Sequence, residues 1–395
     1  MRNMMKPLAL AGAVALLTTS SALALTVDEA IARNIEARGG AQKWKDIKSI
    51  EVSGEMTSWS KKAPFTLQRT SDGKYHLDSI QDEKKYEAGY DGQLAWWENA
   101  FMGEGARKMR GNDLSLLMRE LDFPTPLFTY KDKGYEAKLI GEKEFEGADA
   151  IAIELKRTDG QVETWYLDPK SFLEIGRESQ GSDFGRAVPQ RTYFDDFRDV
   201  SGVKVPFRVE SQWYTRERIM NVQKAQANVL LDDAVFKMPP PPGMAPFVPL
   251  AGDWRVAVSR KRGPNAPWQD SERTSHIESL LSGNLIQETY TGSEGADVLR
   301  TISYDRVRKV YRVTETSDTA SHLDVAEGAI DDQKRIVVTN VPTGTTTSQF
   351  GMTFHGRMII TDITPDSFKI VEDYSTDGGK EWIEALKTSY TRVKK

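Results

Sequence analysis

The sequence contains no cysteine. That absence excludes disulfides, thiolate metal centres, cysteine nucleophiles and a lipid-modified N-terminal cysteine. Histidine is nearly as scarce: His76, His276, His322 and His355 are the full set, and no two stand at the i, i+4 spacing used by zinc hydrolases. There is no Gly-x-Ser-x-Gly elbow and no phosphate-binding Gly-x-x-x-x-Gly-Lys-Ser/Thr loop. Gly103-Glu104-Gly105 lacks the third glycine and the strand-turn-helix setting of a dinucleotide site. Paired carboxylates do occur, at Asp195-Asp196, Asp232-Asp233 and Asp331-Asp332. Adjacent residues on a strand face opposite ways, so such pairs suit turns and solvated edges better than acid–base work. An excess of positive charge is also missing. With 53 Lys and Arg against 58 Asp and Glu, the net charge of −5 argues against nucleic acid as a partner.

One long apolar run exists, and it is at the start. Arg2 and Lys6 precede an apolar and small-residue stretch from Leu8 to Leu17, and Ala22-Leu23-Ala24 closes it. This is the pattern of a secretory signal peptide over residues 1–24, with cleavage expected after Ala24. A spanning helix needs roughly 20 apolar residues, and polar Thr18 to Ser21 end this run too early. The expected location is the periplasm. Removal of Arg2 and Lys6, with no acid lost, moves the net charge from −5 to −7.

What remains is longer than one core usually organises. The clearest break is Met238-Pro239-Pro240-Pro241-Pro242-Gly243-Met244-Ala245-Pro246, where consecutive prolines remove backbone donors. A Pro-rich linker is therefore expected at 239–246, between a first domain at 25–238 and a second at 247–395. The first domain opens with a helix: Thr26 and Glu29 form a capping box, Val27, Ile31 and Ile35 recur at helical spacing, and Gly39-Gly40 ends it. After Trp44 the apolar period becomes two. Short segments rich in β-branched and aromatic residues, broken by Asp72-Gly73 and Asp91-Gly92, predict an antiparallel meander. One helix interrupts it, with Asn112 or Asp113 as cap and Leu114, Leu117, Met118 and Leu121 at i, i+3, i+4 and i+7. The second domain reads as about ten short strands, with tight turns at Ser282-Gly283-Asn284 and Asp377-Gly378-Gly379. A closed up-and-down barrel hides the edges of such a series.

The first domain resembles the LolA-like family of periplasmic lipoprotein carriers. The resemblance rests on Tyr90-Asp91-Gly92-Gln93-Leu94-Ala95-Trp96-Trp97, on Asp199-Val200-Ser201-Gly202-Val203-Lys204-Val205-Pro206-Phe207, and on the ending Asp232-Asp233-Ala234-Val235-Phe236-Lys237-Met238-Pro239-Pro240. It implies an open, curved antiparallel half-barrel whose concave face is covered by helices and carries acyl chains. The second domain is similar to a bacterial family of calycin or lipocalin-like β-barrels, through Leu250-Ala251-Gly252-Asp253-Trp254 and Asp377-Gly378-Gly379-Lys380-Glu381-Trp382 followed by Tyr390-Thr391-Arg392. Relatives of that fold hold small hydrophobic molecules inside the barrel.

The expected fold class is thus mainly β, a curved antiparallel half-barrel with covering helices joined by a Pro-rich linker to an up-and-down antiparallel β-barrel. The expected function is binding or carriage of a hydrophobic ligand, a lipid or the acyl chains of a lipoprotein, without catalysis, cofactor or metal. Envelope proteins are the expected macromolecular partners. The residues expected at the ligand are Trp59, Phe65, Trp96, Trp97, Phe101, Met102, Leu114, Leu117, Met118 and Leu121. Trp96 and Trp97 must face opposite ways on a strand, and the sequence does not say which lines the concave face. The helix at 113–121 is either a lid over that face or plain core. Two other classes stay open, an enzyme such as a hydrolase or isomerase acting on a lipid or pigment in the second barrel, and an interaction protein with both domains packed solid. Separately, His355 could serve as an axial haem ligand in that barrel, although a solvent-facing or hydrogen-bonded strand histidine is the commoner case.

Overall fold

The computed structural model describes residues 25–395, except 59, 100–102, 104, 215, 293–294, 320–321, 350 and 395. The signal peptide expected at 1–24 lies outside the described residues, as do Trp59, Phe101 and Met102.

The capping box forms as expected. Thr26 and Glu29 bond reciprocally at the start of α1 (Val27–Ala37), and the backbone turns out of the helix through Gly39 at φ 108°. A second short helix, α2 (Ala41–Asp46), buries Trp44, whose indole nitrogen donates to the Arg38 carbonyl. Strands β1 (Ser49–Ser58), β2 (Lys61–Thr70), β3 (Tyr75–Gln81), β4 (Lys84–Tyr90), β5 (Ala95–Asn99) and β6 (Arg107–Lys108) then form one meander. Helices α3 (Gly111–Glu120) and α4 (Pro126–Thr129) follow. A second meander runs through β7 (Glu136–Phe145), β8 (Ala148–Lys156), β9 (Val162–Leu167), β10 (Glu174–Asp183), β11 (Arg186–Val200), β12 (Val203–Trp213) and β13 (Arg216–Ala227). The first and last strands pair, Ile50 opposite Ala227 through Ser58 opposite Arg218, which joins the two meanders into one curved sheet of 13 strands in the order 6-5-4-3-2-1-13-12-11-10-9-8-7.

This order explains where α3 and α4 lie. β6 and β7 are the two edges of the sheet, so the chain between them must cross from one edge to the other. It crosses the concave face. Leu117, with the less deeply buried Leu114, Met118 and Leu121, packs there against Val52, Phe65, Leu77 and Val222. Farther along the same face, Ala30 and Ile31 of α1 and Leu127 of α4 pack on Ile151, Ile153, Leu155 and Trp165.

After β13 the chain passes through a 3-10 turn at Asp233–Phe236, which packs on β3 and β4. A further 3-10 turn, Ala245–Leu250, leads into the second sheet. Its strands are β14 (Gly252–Arg260), β15 (Gln269–Leu280), β16 (Leu285–Thr291), β17 (Asp297–Asp305), β18 (Val310–Ser317), β19 (Asp324–Ile330), β20 (Ile336–Thr339), β21 (Thr347–Gln349), β22 (Met352–Thr361), β23 (Ser367–Ser375) and β24 (Ile383–Arg392). Ten of these close on themselves, because β14 pairs with β24 and β20 pairs with β22, while β21 hangs on β22 as a short extra strand. The barrel needs no free long edge, which is the physical reason for closure. Its apolar interior includes Val256, Ile302, Val338 and Ile360 around Trp254, whose ring meets Phe368 edge-on at 4.9 Å. Met244, Phe247 and Leu250, from the turn that precedes the first barrel strand, belong to the same core.

Candidate ligand-binding site

Strand alternation sets the character of the concave face. On β3, Tyr75 and Leu77 point inward while His76 and Asp78 point outward; on β13, Arg218, Met220 and Val222 point inward. Between this face and α3 lies a cavity of about 460 Å³, walled by Tyr75, Leu77, Tyr86, Trp97, Met109, Leu116 and Leu117, with Lys61, Asp113, Arg216 and Phe184 toward one side. Volumes of about 300–1,000 Å³ with mostly apolar walls are usual for small-molecule sites. A second cavity of about 190 Å³ adjoins it farther under the helices and shares Tyr75, Leu77, Glu120, Gln190 and Arg218 with the first.

The second cavity is rich in buried charge. Arg38 meets Glu174 at 3.0 Å and Arg177 meets Glu120 at 2.8 Å. Burial alone would raise the Glu120 pKa, but Arg177, then Arg69 and Arg119, hold it down at about 2. Asp122 is taken by Lys133 and Arg157, and Arg157 also reaches Glu163. Burial lowers the pKa of Arg119, and the neighbouring Arg177 lowers it further. Tyr75, at the junction of the two cavities, has its phenol pushed up by burial.

The end of α3 nearest the cavity mouth is tied down by side chains. Asn112 donates to the Gly185 carbonyl at 2.8 Å, and Asp113 accepts from the Ser182 hydroxyl, both partners lying at the β10–β11 turn. Neither residue caps the helix as the sequence suggests. The N-cap position is Arg110, and it makes no side-chain cap bond. Asx residues satisfy whichever backbone or hydroxyl group is close, and here the facing turn is closer than the helix's own first amides.

Among curated proteins, none matches the chain in sequence. Residues 247–392 match the family described as protein of unknown function (DUF1579). That stretch is the barrel. Among solved structures, the chain is similar to a DUF1329 family protein from Desulfovibrio piger, at 14% identity over 54% of this chain and 97% of that one, with a TM-score of 0.38. A LolA superfamily protein from Nitrosomonas europaea gives 12% identity, 54% and 98% coverage and a TM-score of 0.36. The MucA/MucB complex of Pseudomonas aeruginosa gives 11% identity, 92% and 93% coverage and a TM-score of 0.21. The architecture stands on the strand pairing described above and not on these likenesses.

The structure separates the residues expected at the ligand. Trp97 and Leu117 line the larger cavity. Phe65, Leu114, Met118 and Leu121 join the apolar cluster around it without standing on the cavity wall. Trp96 is a correction: the alternation that turns Trp97 inward turns Trp96 to the convex face, where it is 1% exposed and its indole donates to the Phe236 carbonyl at 2.8 Å. There it covers Gly89, where a Cβ would come within 2.6 Å of the indole. Sequence reasoning missed Tyr75, Leu77, Tyr86, Leu116 and Trp213. The signal for Tyr75 and Leu77 is the period-two run of β3, whereas Trp213 reaches the cavity only through pairing of the two meanders.

The barrel interior is layered. Below the apolar core lies a polar layer in which Arg300, 1% exposed, meets Glu288 at 3.2 Å, Glu315 at 2.6 Å and Glu372 at 2.7 Å. Burial raises the Glu372 pKa against the pull of Arg300. A more open depression of about 850 Å³ borders β14 to β18, where threonines, Asp253, Asp297, Asp318 and His276 alternate with Tyr290, Val298, Leu299 and Val393. His355 sits on β22 opposite Ser375. Among the described residues, no group of three or more His, Asp or Glu side chains is placed to hold a metal ion.

Proposed function

We propose that this protein binds a hydrophobic ligand carrying an acyl-type chain in the cavity beneath α3, and that it serves as a binding or carrier protein of the bacterial envelope without catalysing a reaction. The observation that supports this is the apolar cavity of about 460 Å³ between α3 and the concave face, walled by aromatic and aliphatic side chains from both meanders. Each methylene buried there is worth about 0.8 kcal/mol, which is what a lipid requires to leave a membrane for water. The helix over the cavity is part of the chord between the sheet edges, held near its start by three side-chain hydrogen bonds through Asn112 and Asp113, so it provides a cover that opens without breaking the sheet. The N-terminal pattern at 1–24 supports an envelope location, with lipid or lipoprotein transport toward the outer membrane as the wider role.

The test is displacement of a fluorescent fatty acid from the purified protein. Leu116→Ser and Trp97→Ala each remove apolar wall worth about 1.5–3 kcal/mol when fully covered, so affinity should fall roughly tenfold or more. Leu116 is only half-buried, so its replacement should move the melting temperature little. Failure of the unaltered protein to bind any acyl probe ends this reading. A Leu116→Ser protein that melts far earlier would make the helix a core plug and not a cover.

A further inference from the structure

The inner cavity carries more positive than negative charge. Its wall holds five guanidinium groups, Arg38, Arg69, Arg119, Arg177 and Arg218, against three carboxylates, Glu120, Asp122 and Glu174. The carboxylates are already committed: Glu174 to Arg38, Glu120 to Arg177, and Asp122 to Lys133 and Arg157. Among the described residues, that leaves Arg69, Arg119 and Arg218 with no carboxylate at ion-pair distance. Arg69 donates to the Asp122 carbonyl. Arg119 is 3% exposed, and its Nε and Nη1 have no hydrogen-bond partner; the Nε of Arg177, 4% exposed, has none either. A guanidinium does not deprotonate in proteins, and burying one without a counter-charge is strongly unfavourable. Such an arrangement calls for an anion.

We propose that the inner cavity binds the anionic head of an amphiphile, a carboxylate or a phosphate ester, with Arg119 and Arg218 contacting its oxygens and the single chain lying in the larger cavity. This rests on the binding role proposed above and adds the chemistry of the ligand's polar end. Contiguity supports it, because Arg218, Tyr75 and Gln190 border both cavities, so one molecule reaches from the arginines to Trp97. Charge supports it as well: an excess of two positive charges among the lining residues matches a head of one or two negative charges. The planar fork of arginine favours two parallel bonds to carboxylate or phosphate oxygens, and a neutral alcohol or ester offers no such pair.

The experiment compares dodecanoate, dodecyl phosphate and dodecanol, equal in chain length, as displacers of the fluorescent fatty acid from the full-length protein. Either anion should bind at least about tenfold more tightly than dodecanol. Arg119→Met should abolish most of that preference, leave dodecanol binding unchanged, and raise the melting temperature of the ligand-free protein, since it removes a buried guanidinium that has no carboxylate at ion-pair distance and two unbonded nitrogens. If R119M does not fold, R218Q, at a half-buried position, must show the same loss of preference. Equal binding of dodecanol and the anions overturns the head-group assignment and leaves the apolar cavity standing. Inorganic phosphate protecting as well as dodecyl phosphate also overturns it, because the site would then be one for a free anion. Binding of none of the three refutes the hydrophobic-ligand reading itself.

Discussion

Charged side chains decide most at the residue scale, because both sheets bury arginines. Glu120 illustrates the sign. Its folded pKa of about 2 lies below the ordinary 4.5, so its contribution to stability is present above pH 4.5 and is lost as pH falls toward 2. Acid unfolding of the protein should steepen across that window, and Glu120→Gln should flatten it; a pH series of thermal melts reads both. Arg300 makes a larger prediction. Arg300→Met leaves Glu288 and Glu372 inside the barrel without their counter-charge, at a cost of about 3–5 kcal/mol near neutral pH. Burial already raises the Glu372 pKa, and loss of Arg300 raises it further, so the variant should recover stability as pH falls toward about 4, where that carboxyl is protonated in the folded and unfolded chain alike. Urea denaturation at pH 7 and pH 4 tests the pair, and an equal loss at both would mean that packing volume and not charge is responsible. Arg69 and Arg218 face inward by strand register, and neither stands out in the sequence. Their juxtaposition with Arg119 was not legible there either, because it depends on β1 meeting β13 across more than 150 residues of chain.

At the scale of elements, α3 shows which signals a sequence carries strongly. Its apolar stripe was plain in the spacing of Leu114, Leu117, Met118 and Leu121, and the helix forms there. Its cap was misread, since the sequence offers Asn112 and Asp113 as acceptors for the helix's own amides but does not show the β10–β11 turn brought against them. The same reasoning explains the tryptophan pair: opposite faces were certain, and the choice of Trp97 for the cavity was fixed only by the direction of sheet curvature. Asn112→Ala removes two of the three tethers, its bond to the Gly185 carbonyl at 2.8 Å and the longer one it accepts from Gln180 at 3.3 Å, the shorter worth about 0.5–1.5 kcal/mol. Amide exchange in α3 should accelerate about two- to tenfold while exchange in β11 and β12 stays unchanged. Uniform acceleration across the sheet would show instead that the helix opens only with global unfolding.

At the scale of the whole molecule, the path of the chain between the two sheets carries structural weight. The proline run was legible as a break, and its neighbours prove to be packed on either side. Phe236 lies on the first sheet under Trp96, and Met244, Phe247 and Leu250 enter the barrel core. The barrel therefore begins before its first strand. Trp254 donates to the Leu250 carbonyl at 2.8 Å, Tyr311 to that of Gly243 at 2.8 Å, and Arg392 to those of Pro249 and Ala251. A fragment spanning 239–395 should accordingly fold alone into a cooperative β structure. A fragment of 251–395 keeps every barrel strand but loses three fully buried side chains, each worth about 1.5–3 kcal/mol. That sum is comparable to the roughly 5–15 kcal/mol by which whole domains are stable, so the shorter fragment should be unfolded or nearly so at 25 °C. Circular dichroism and urea titration followed by the summed emission of Trp254, Trp268 and Trp382 distinguish the two fragments. Equal urea midpoints would mean that residues 244–250 act as a spacer between the sheets and that the barrel core is complete without them.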